Sequence, residues 1–290
     1  MEYWINKQIR DRQALRRSFQ TLTQNVYGFT FEEWHRQGYW GSRYLPYCLC
    51  RGEQVIANIS VNRMETVWDG EKKQNIQLGT VMTEPSFRNQ GHIRRLMEEV
   101  LEDWAGRCDM MYLFANATVL DFYPKFGFER VTEYRCTLPV SPLPAKVRKL
   151  DIGRAEDLAL LRAAYQKSNP FSLLPSLHNF GLLMFYAIQF LREHLYYIED
   201  LEAVVVAERE EGTLFVSEIY CSAQTSMPDV LSAIAGEGDC LVELGFMPNR
   251  EFRGARISPI MDEDDALFLL SGKENPFLGR LLRFPVLSHT

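Results

Sequence analysis

Between Gly79 and Met97 the chain reads GTVMTEPSFRNQGHIRRLM, and the second half of this stretch opens an amphipathic helix whose first turn carries His92, Arg94 and Arg95. A helix N-terminus already bears a partial positive charge and favours Asp or Glu nearby, so cations placed there call for an anion from outside the chain. The unpaired backbone N–H groups of such a terminus face an anion, and Gly91, having no Cβ, lets phosphate oxygens approach the backbone. Pro85 stops the preceding strand, and Arg88, Arg94 and Arg95 supply charge that contacts or screens the ligand. These residue types in this order point to a pyrophosphate site, with a solvated cationic face as the alternative.

Other chemistries find no support. The chain has no HExxH, P-loop or Rossmann glycine pattern. Its cysteines, at 48, 50, 108, 136, 221 and 240, form no CxxC pair, so no metal, nucleotide or flavin site is expected. Cys48 and Cys50 lie two apart in an expected strand, share a face and do not bridge; reduced, mostly buried thiols are predicted.

The chain has 290 residues, 46% of them hydrophobic and 24% charged, which suits one large globular domain or two ordinary ones. The longest apolar run, Phe180 to Leu191, is interrupted by Gln189 and too short to span a bilayer. The opening residues MEYWINKQIRDRQ lack the apolar core of a signal peptide, so a cytoplasmic protein without a membrane partner is expected. Residues 1–140 carry a balance of +1 and residues 141–290 a balance of −7, with the run MDEDD in the acidic half. That balance argues against nucleic acid as a partner; it fits a solvated acidic surface and also suits a cationic substrate.

The elements that position these residues follow from periodicity and turn signals. Helices are predicted at Asp11–Gln24 and Thr30–Gln37, then strands at Leu45–Arg51, Val55–Trp68 and Asn75–Met82, the last two joined by a hairpin around DGEKK. Gly91–Trp104 is the clearest helix, with Ile93, Leu96, Met97, Val100, Leu101 and Trp104 on one face. A strand at Met110–Ala115, a short helix at Thr118–Lys125 and a closing strand at Glu129–Leu138 complete a mixed sheet with helices on both faces. SPLPAKVRKLD, at 141–151, reads as a linker. Beyond it come helices at Glu156–Gln166 and about 177–193, strands at Glu202–Glu208 and Leu214–Cys221, a helix at Pro228–Ala235 and a strand at Cys240–Phe246. That order echoes the first half and predicts domains at 1–140 and 151–290 around a linker at 141–150.

The run V-x-T-x-P-x-x-R-x-x-G before an amphipathic helix resembles the acyl-CoA loop of the GNAT superfamily of N-acyltransferases. The stretch NATVLDFYPKFGFERV resembles that family's second signature, with Asn116, Tyr123, Gly127 and Phe128 at its positions. The resemblance covers about residues 1–140 and implies an α/β, α+β mixed-sheet GNAT-like fold in two tandem domains, with acetyl-CoA as acyl donor and no metal. It implies that Val81, Met82 and Thr83 splay from the neighbouring strand and offer backbone groups to pantetheine. Backbone N–H groups of Arg88, Asn89, Gln90, Gly91, His92, Ile93 and Arg94 would hold the pyrophosphate. Asn116 would bond pantetheine or a water, and Tyr123 would protonate the departing thiolate as general acid.

Two positions depart from the family pattern. Ile93 stands where Gly or Ala is usual, and the strand NIQLGTVM carries no carboxylate to serve as base; Glu84, in the loop, has only a weak claim. In the second half the matching helix start, SMPDVLSAI, is capped by its own Ser226, Pro228 and Asp229, with no Arg-x-x-Gly loop and no counterpart of Asn116 and Tyr123. It therefore reads as a degenerate GNAT-like domain that walls the acceptor site. The expected function is direct acetyl transfer from acetyl-CoA to a primary amine, a cationic small molecule; homo-oligomer formation is compatible with the chain. A non-catalytic acyl-CoA-binding sensor is the competing class.

Overall fold

The computed structural model describes residues 2–289. The first sheet opens with β1 (Tyr3–Asn6), followed by helices α1 (Gln13–Tyr27) and α2 (Glu32–Arg36) and strands β2 (Tyr44–Arg51), β3 (Gln54–Trp68) and β4 (Glu71–Thr83). Asp69 and Gly70 turn β3 into β4 with φ of 52° and 78°, the left-handed pair that a tight hairpin needs. Helix α3 (His92–Trp104) crosses over to β5 (Met110–Ala115), which lies parallel to β4, and β6 (Phe128–Arg130) follows. Leu96, Met97 and Val100 of α3 are buried against one face of the sheet, while α1 and α2 cover the other through Phe19, Leu22 and Trp34.

The remaining elements are β7 (Tyr134–Pro139), β8 (Val147–Lys149), α4 (Ala155–Tyr165), β9 (Ser176–Leu177), α5 (Phe180–Gln189), β10 (Leu195–Ile198), β11 (Ala203–Glu210), β12 (Thr213–Tyr220), α6 (Met227–Ile234), β13 (Leu241–Leu244), β14 (Arg256–Pro259) and β15 (Ala266–Leu270). Strand order in the first sheet is β1-β2-β3-β4-β5-β15-β6, with β9 paired to β3; in the second it is β14-β7-β13-β12-β11-β10-β8. Read from β8, the second sheet repeats the first. Each holds a parallel pair, β4 with β5 and β12 with β13, joined by a helix.

The two sheets exchange a strand. β15, from the far end of the chain, lies between β5 and β6, while β7 leaves the first half to pair with β13 and β14. The stretch Glu129–Leu138 is thus not one closing strand but parts of two strands in different sheets. The chain segment 141–150 does not separate two self-contained sheets, and it contributes β8 to the second. Thr118–Lys125 forms two 3₁₀ turns, Ala117–Val119 and Tyr123–Phe126, rather than a helix; Pro124 lacks an N–H donor, and Gly127, at φ 85°, ends the second turn.

Two carboxyls are buried in this framework. Glu218 on β12 accepts from Asn169 Nδ2 at 2.7 Å, and burial pushes its pKa up to about 8. Glu133 accepts from the backbone N–H of Phe284 at 2.7 Å, and burial pushes it up to about 6. Both favour the protonated form in the fold. Their contribution to stability is complete below about pH 4.5, the unfolded value, and is lost as pH rises through the folded values. The expected outcome is a thermal midpoint that declines between about pH 4.5 and 8. Glu218→Gln should flatten the decline and raise the midpoint above wild type at alkaline pH; calorimetric scans across pH showing an unchanged decline in the variant would contradict this.

Candidate functional site

The site begins with a flaw in the β3–β4 ladder. Asn58 pairs with Met82 and Ser60 with Gly79, so β4 fits Thr80 and Val81 opposite Ile59 alone. This is a β-bulge, a device that bends a strand and redirects its neighbours. Thr80 takes a φ of 47°, uncommon for a residue that carries a Cβ. Buried Asn58 holds it there: its Nδ2 donates to the Thr80 carbonyl at 2.8 Å and to Ser60 Oγ at 2.9 Å, and its Oδ1 accepts from Cys48 Sγ at 3.2 Å. Tyr44 Oη lies 3.1 Å from Thr80 Oγ1, and Tyr27 Oη donates to the Val81 carbonyl at 2.8 Å.

Below the bulge β4 pairs with β5, from Asn75↔Met110 to Leu78↔Leu113. Above it the ladder stops, and Phe114 and Ala115 pair with β15 on their other edge. The two strands part into a wedge. Gly79, Thr80 and Val81 line one side of it, and Phe114, Ala115 and Asn116 the other, in a cavity of about 660 Å³.

Beyond β4, Pro85–Phe87 makes a 3₁₀ turn and α3 starts at His92. Gly91 caps that helix at φ 78°, with no side-chain cap and no acidic residue in the first turn. Its N–H groups are therefore open to an external anion. A Cβ at Gly91 would meet nothing within 4 Å, so its φ rather than crowding by the protein requires glycine. Ile93 packs against the core under α3. Arg94 lies over the Phe126 ring at 5.2 Å, Arg95 reaches the Tyr3 carbonyl at 3.5 Å, and Arg88 Nε reaches the Thr83 carbonyl at 3.4 Å. Asn89 (φ 62°) and Gln90 complete the exposed loop. His92 is buried edge-on to Tyr3 at 5.0 Å, and burial lowers its pKa, with Arg95 adding to the effect.

Of the residues marked in the sequence, Val81, Asn116 and Tyr123 share the cavity wall. Arg88 to Arg94 form the adjoining helix start and are not part of that wall, and the Met82 side chain is buried in the core. Asn116 Oδ1 accepts from the Thr118 N–H at 3.0 Å and from Thr118 Oγ1 at 2.6 Å. Tyr123, 4% exposed, is packed edge-on to Phe122 and Phe128, and its hydroxyl has no hydrogen-bond partner among the described residues. Burial pushes its phenol pKa up, and Tyr27 adds to the shift, so the group keeps its proton at neutral pH.

Sequence reasoning missed much of the wall. Asp264 and Asp265 stand just before β15, at the tip of β5, and Asp264 Oδ1 lies 3.5 Å from the Ala117 N–H. His289 stacks on Phe114 with centroids 3.6 Å apart and places Nδ1 3.2 Å from Asp265 Oδ2. The only sequence signal for Asp264 and Asp265 was the MDEDD run, which does not say where it folds, and His289 carried none. At the far end His178 Nδ1 lies 3.0 Å from Glu65 Oε1.

The second sheet has no such opening. β12 and β13 pair up to Val216↔Leu244, and Gly245 then donates to the Val216 carbonyl at 2.8 Å and accepts from Val286 at 2.9 Å. The terminus of α6 is satisfied within the chain by Ser226, which accepts from the Asp229 N–H at 3.5 Å. Among the described residues no group of three or more His, Cys, Asp or Glu is placed to hold a metal ion, and no helix is long and apolar enough to cross a membrane.

Residues 12–131 match the family model described as the acetyltransferase (GNAT) domain. Over nearly the whole chain the fold is similar to three solved structures. A protein of Enterococcus faecalis V583 described as a probable N-acyltransferase has a TM-score of 0.63 at 14% identity, covering 93% of this chain and 72% of its own. Eis1 from Mycobacterium abscessus has a TM-score of 0.56 at 15% identity, with coverage of 92% and 73%. A GCN5-related N-acetyltransferase from Kribbella flavida has a TM-score of 0.55 at 18% identity, with coverage of 92% and 71%. At these identities the likeness is one of fold. No curated protein matches the chain.

The Asn58 network generates a prediction of its own. Asn58→Ala leaves the Thr80 carbonyl buried without its donor, and should lower unfolding stability by about 1–3 kcal/mol. Urea unfolding of variant and wild type measures this; equal stability would show that the bulge holds without Asn58.

Proposed function

We infer that this protein, whose residues 12–131 match an acetyltransferase (GNAT) domain and whose second sheet has the same strand order as the first, transfers acetyl from acetyl-CoA directly to the primary amine of a cationic small molecule. The observation that carries the reading is the wedge between β4 and β5, which opens beside the uncapped, acid-free start of α3. A pyrophosphate suits that helix start, because the backbone donors and dipole lie unused and Gly91 supports the left-handed turn into them. The open edge of Val81 to Thr83 can receive the amide groups of pantetheine.

Acetyl-CoA supplies an activated acyl group. The amine nitrogen forms a bond to the thioester carbonyl carbon, the carbon–sulfur bond breaks, and the sulfur leaves with the bonding pair. Tyr123 is suited to protonate that sulfur: its phenol is buried, keeps its proton at neutral pH and has a hydroxyl not committed to another residue. The proton released by the amine passes to the acidic group at the tip of β5, where Asp264, Asp265 and His289 line the cavity near Asn116. No cysteine lines the cavity, which favours direct transfer over a covalent enzyme intermediate. The plugged wedge and self-capped helix of the second sheet support one donor site per chain.

Tyr123→Phe is expected to lower kcat by roughly 10²-fold or more while acetyl-CoA affinity stays nearly constant, since the hydroxyl acts only in the chemical step. Single-turnover thiol release reads the first quantity and calorimetry the second; an undiminished chemical rate would return Tyr123 to a packing role. Gly91→Glu forces a side chain into a left-handed position and sets an anion at the helix start. It should weaken acetyl-CoA by at least about tenfold, ~1.4 kcal/mol, and equal affinity in a folded variant would remove the pyrophosphate from this loop. Acetyl-CoA binding without thiol release across a panel of amines would favour the sensor class instead.

A further inference from the structure

The cavity has two chemically different ends. One is aromatic, built by the connection between α1 and α2 and by α5 from the other half of the chain. Phe31 and Phe185 stack with centroids 5.1 Å apart, Phe29 meets Phe190 edge-on at 5.5 Å, and Trp34 meets Phe185 edge-on at 5.7 Å. The indole N–H of Trp34 donates to the Gly181 carbonyl at 2.6 Å, so its polar edge is satisfied within the protein. Phe190 remains 51% exposed, so ring surface is open at this end of the cavity. The other end is acidic: Asp264 and Asp265, with His289 between Asp265 and Phe114.

Of the basic groups of the lining, only His289 meets that acid, at Asp265. Arg43 is directed to Glu65 at 3.7 Å and to the Arg63 carbonyl at 3.2 Å, and His178 also faces Glu65. Asp264 has no salt-bridge partner among the described residues, and the acidic end lies at the tip of β5, next to Asn116 and the wedge where acyl transfer takes place.

We propose that the acceptor is an amine with one cationic head and an aromatic body, the head drawn to Asp264 and Asp265 and the body laid among Phe29, Phe31, Phe185 and Phe190. This rests on the transferase reading above and narrows its substrate class. An aromatic body recovers the exposed ring surface as buried apolar area. A polyhydroxylated or polyamine acceptor loses water from hydroxyls or extra ammonium groups against rings that offer them no hydrogen-bond acceptor. Selectivity then arises from the groups a wrong acceptor leaves unpaired, and not from the amine itself.

The test uses the full chain with acetyl-CoA and three amines: 2-phenylethylamine, spermidine and the aminoglycoside tobramycin. Thiol release should give 2-phenylethylamine a kcat/KM at least about tenfold above either competitor, ~1.4 kcal/mol. Phe190→Ala, at an exposed position, should raise the KM for 2-phenylethylamine severalfold and leave that for acetyl-CoA unchanged; Phe185→Leu should do the same with an apolar side chain kept in place. Faster turnover of spermidine or tobramycin overturns the proposal and leaves the transferase reading standing. Calorimetric binding of 2-phenylethylamine without thiol release from any amine does the reverse, supporting the aromatic site and removing the transfer reaction. Tighter binding of octanoyl-CoA than acetyl-CoA, with no binding of 2-phenylethylamine, overturns the proposal by assigning the rings to a donor chain.

Discussion

Everything around the cavity depends on one extra residue in β4. A non-glycine residue in a left-handed conformation costs about 1–3 kcal/mol and persists only when its surroundings fix it. Thr80 is fixed from two sides, by Asn58 through its carbonyl and by Tyr44 through its hydroxyl, while Tyr27 secures the Val81 carbonyl beside it. These partners come from β3, β2 and α1, so three elements hold the bulge in place. With β4 bent there, the ladder to β5 cannot continue past Leu78↔Leu113. The wedge-facing edge of β4 beyond that point has no partner strand, and it lies close to a helix start that has no cap of its own.

The strand exchange makes the cavity a joint product of both halves. β15 takes the edge of β5 that faces away from the wedge, and in doing so brings Asp264 and Asp265 to the strand tip. α5 is held against the first half at Gly181, where a Cβ would lie 2.6 Å from the Tyr39 carbonyl oxygen and where Trp34 finds its acceptor. So close an approach leaves little room for the halves to slide, and it fixes Phe185 against Phe31. The aromatic end is therefore part of the folded core and does not wait for a ligand to assemble it.

What could be read from the sequence divides along the same physical line. The loop before α3 was legible because its signals are local: proline after a strand, glycine at a left-handed cap, cations where a dipole disfavours them, and an apolar stripe that names the buried face. Ile93 fits that stripe and is packed inward as its spacing indicated. The exchange of β7 and β15 was not legible. Ala266–Leu270 reads ALFLL, a short run buried on both faces, and such a run carries no mark of which strand it will join. Glu129–Leu138 looked continuous because nothing in its composition separates β6 from β7. The aromatic wall escaped for a related reason: Phe29, Phe31, Phe185 and Phe190 lie far apart in the chain and would suit any core.

The two wedges differ in what stands between their strands. In the second sheet Gly245 lies so close to β12 that an added Cβ would stand 2.8 Å from Ser217 Cα, and the same point is 2.8 Å from Val286 Cγ2. Val286 also donates to the Gly245 carbonyl, which uses a backbone group that an open wedge would present to a ligand. His289, three residues farther on, stacks on Phe114 in the first cavity, and its carbonyl accepts from Tyr186 at 2.7 Å. One short stretch thus fills the second wedge and completes the wall of the first. Opening the second wedge would require drawing Val286 away, and with it the residue that pairs with Asp265. The closed state of one sheet and the finished state of the other are the same packing event.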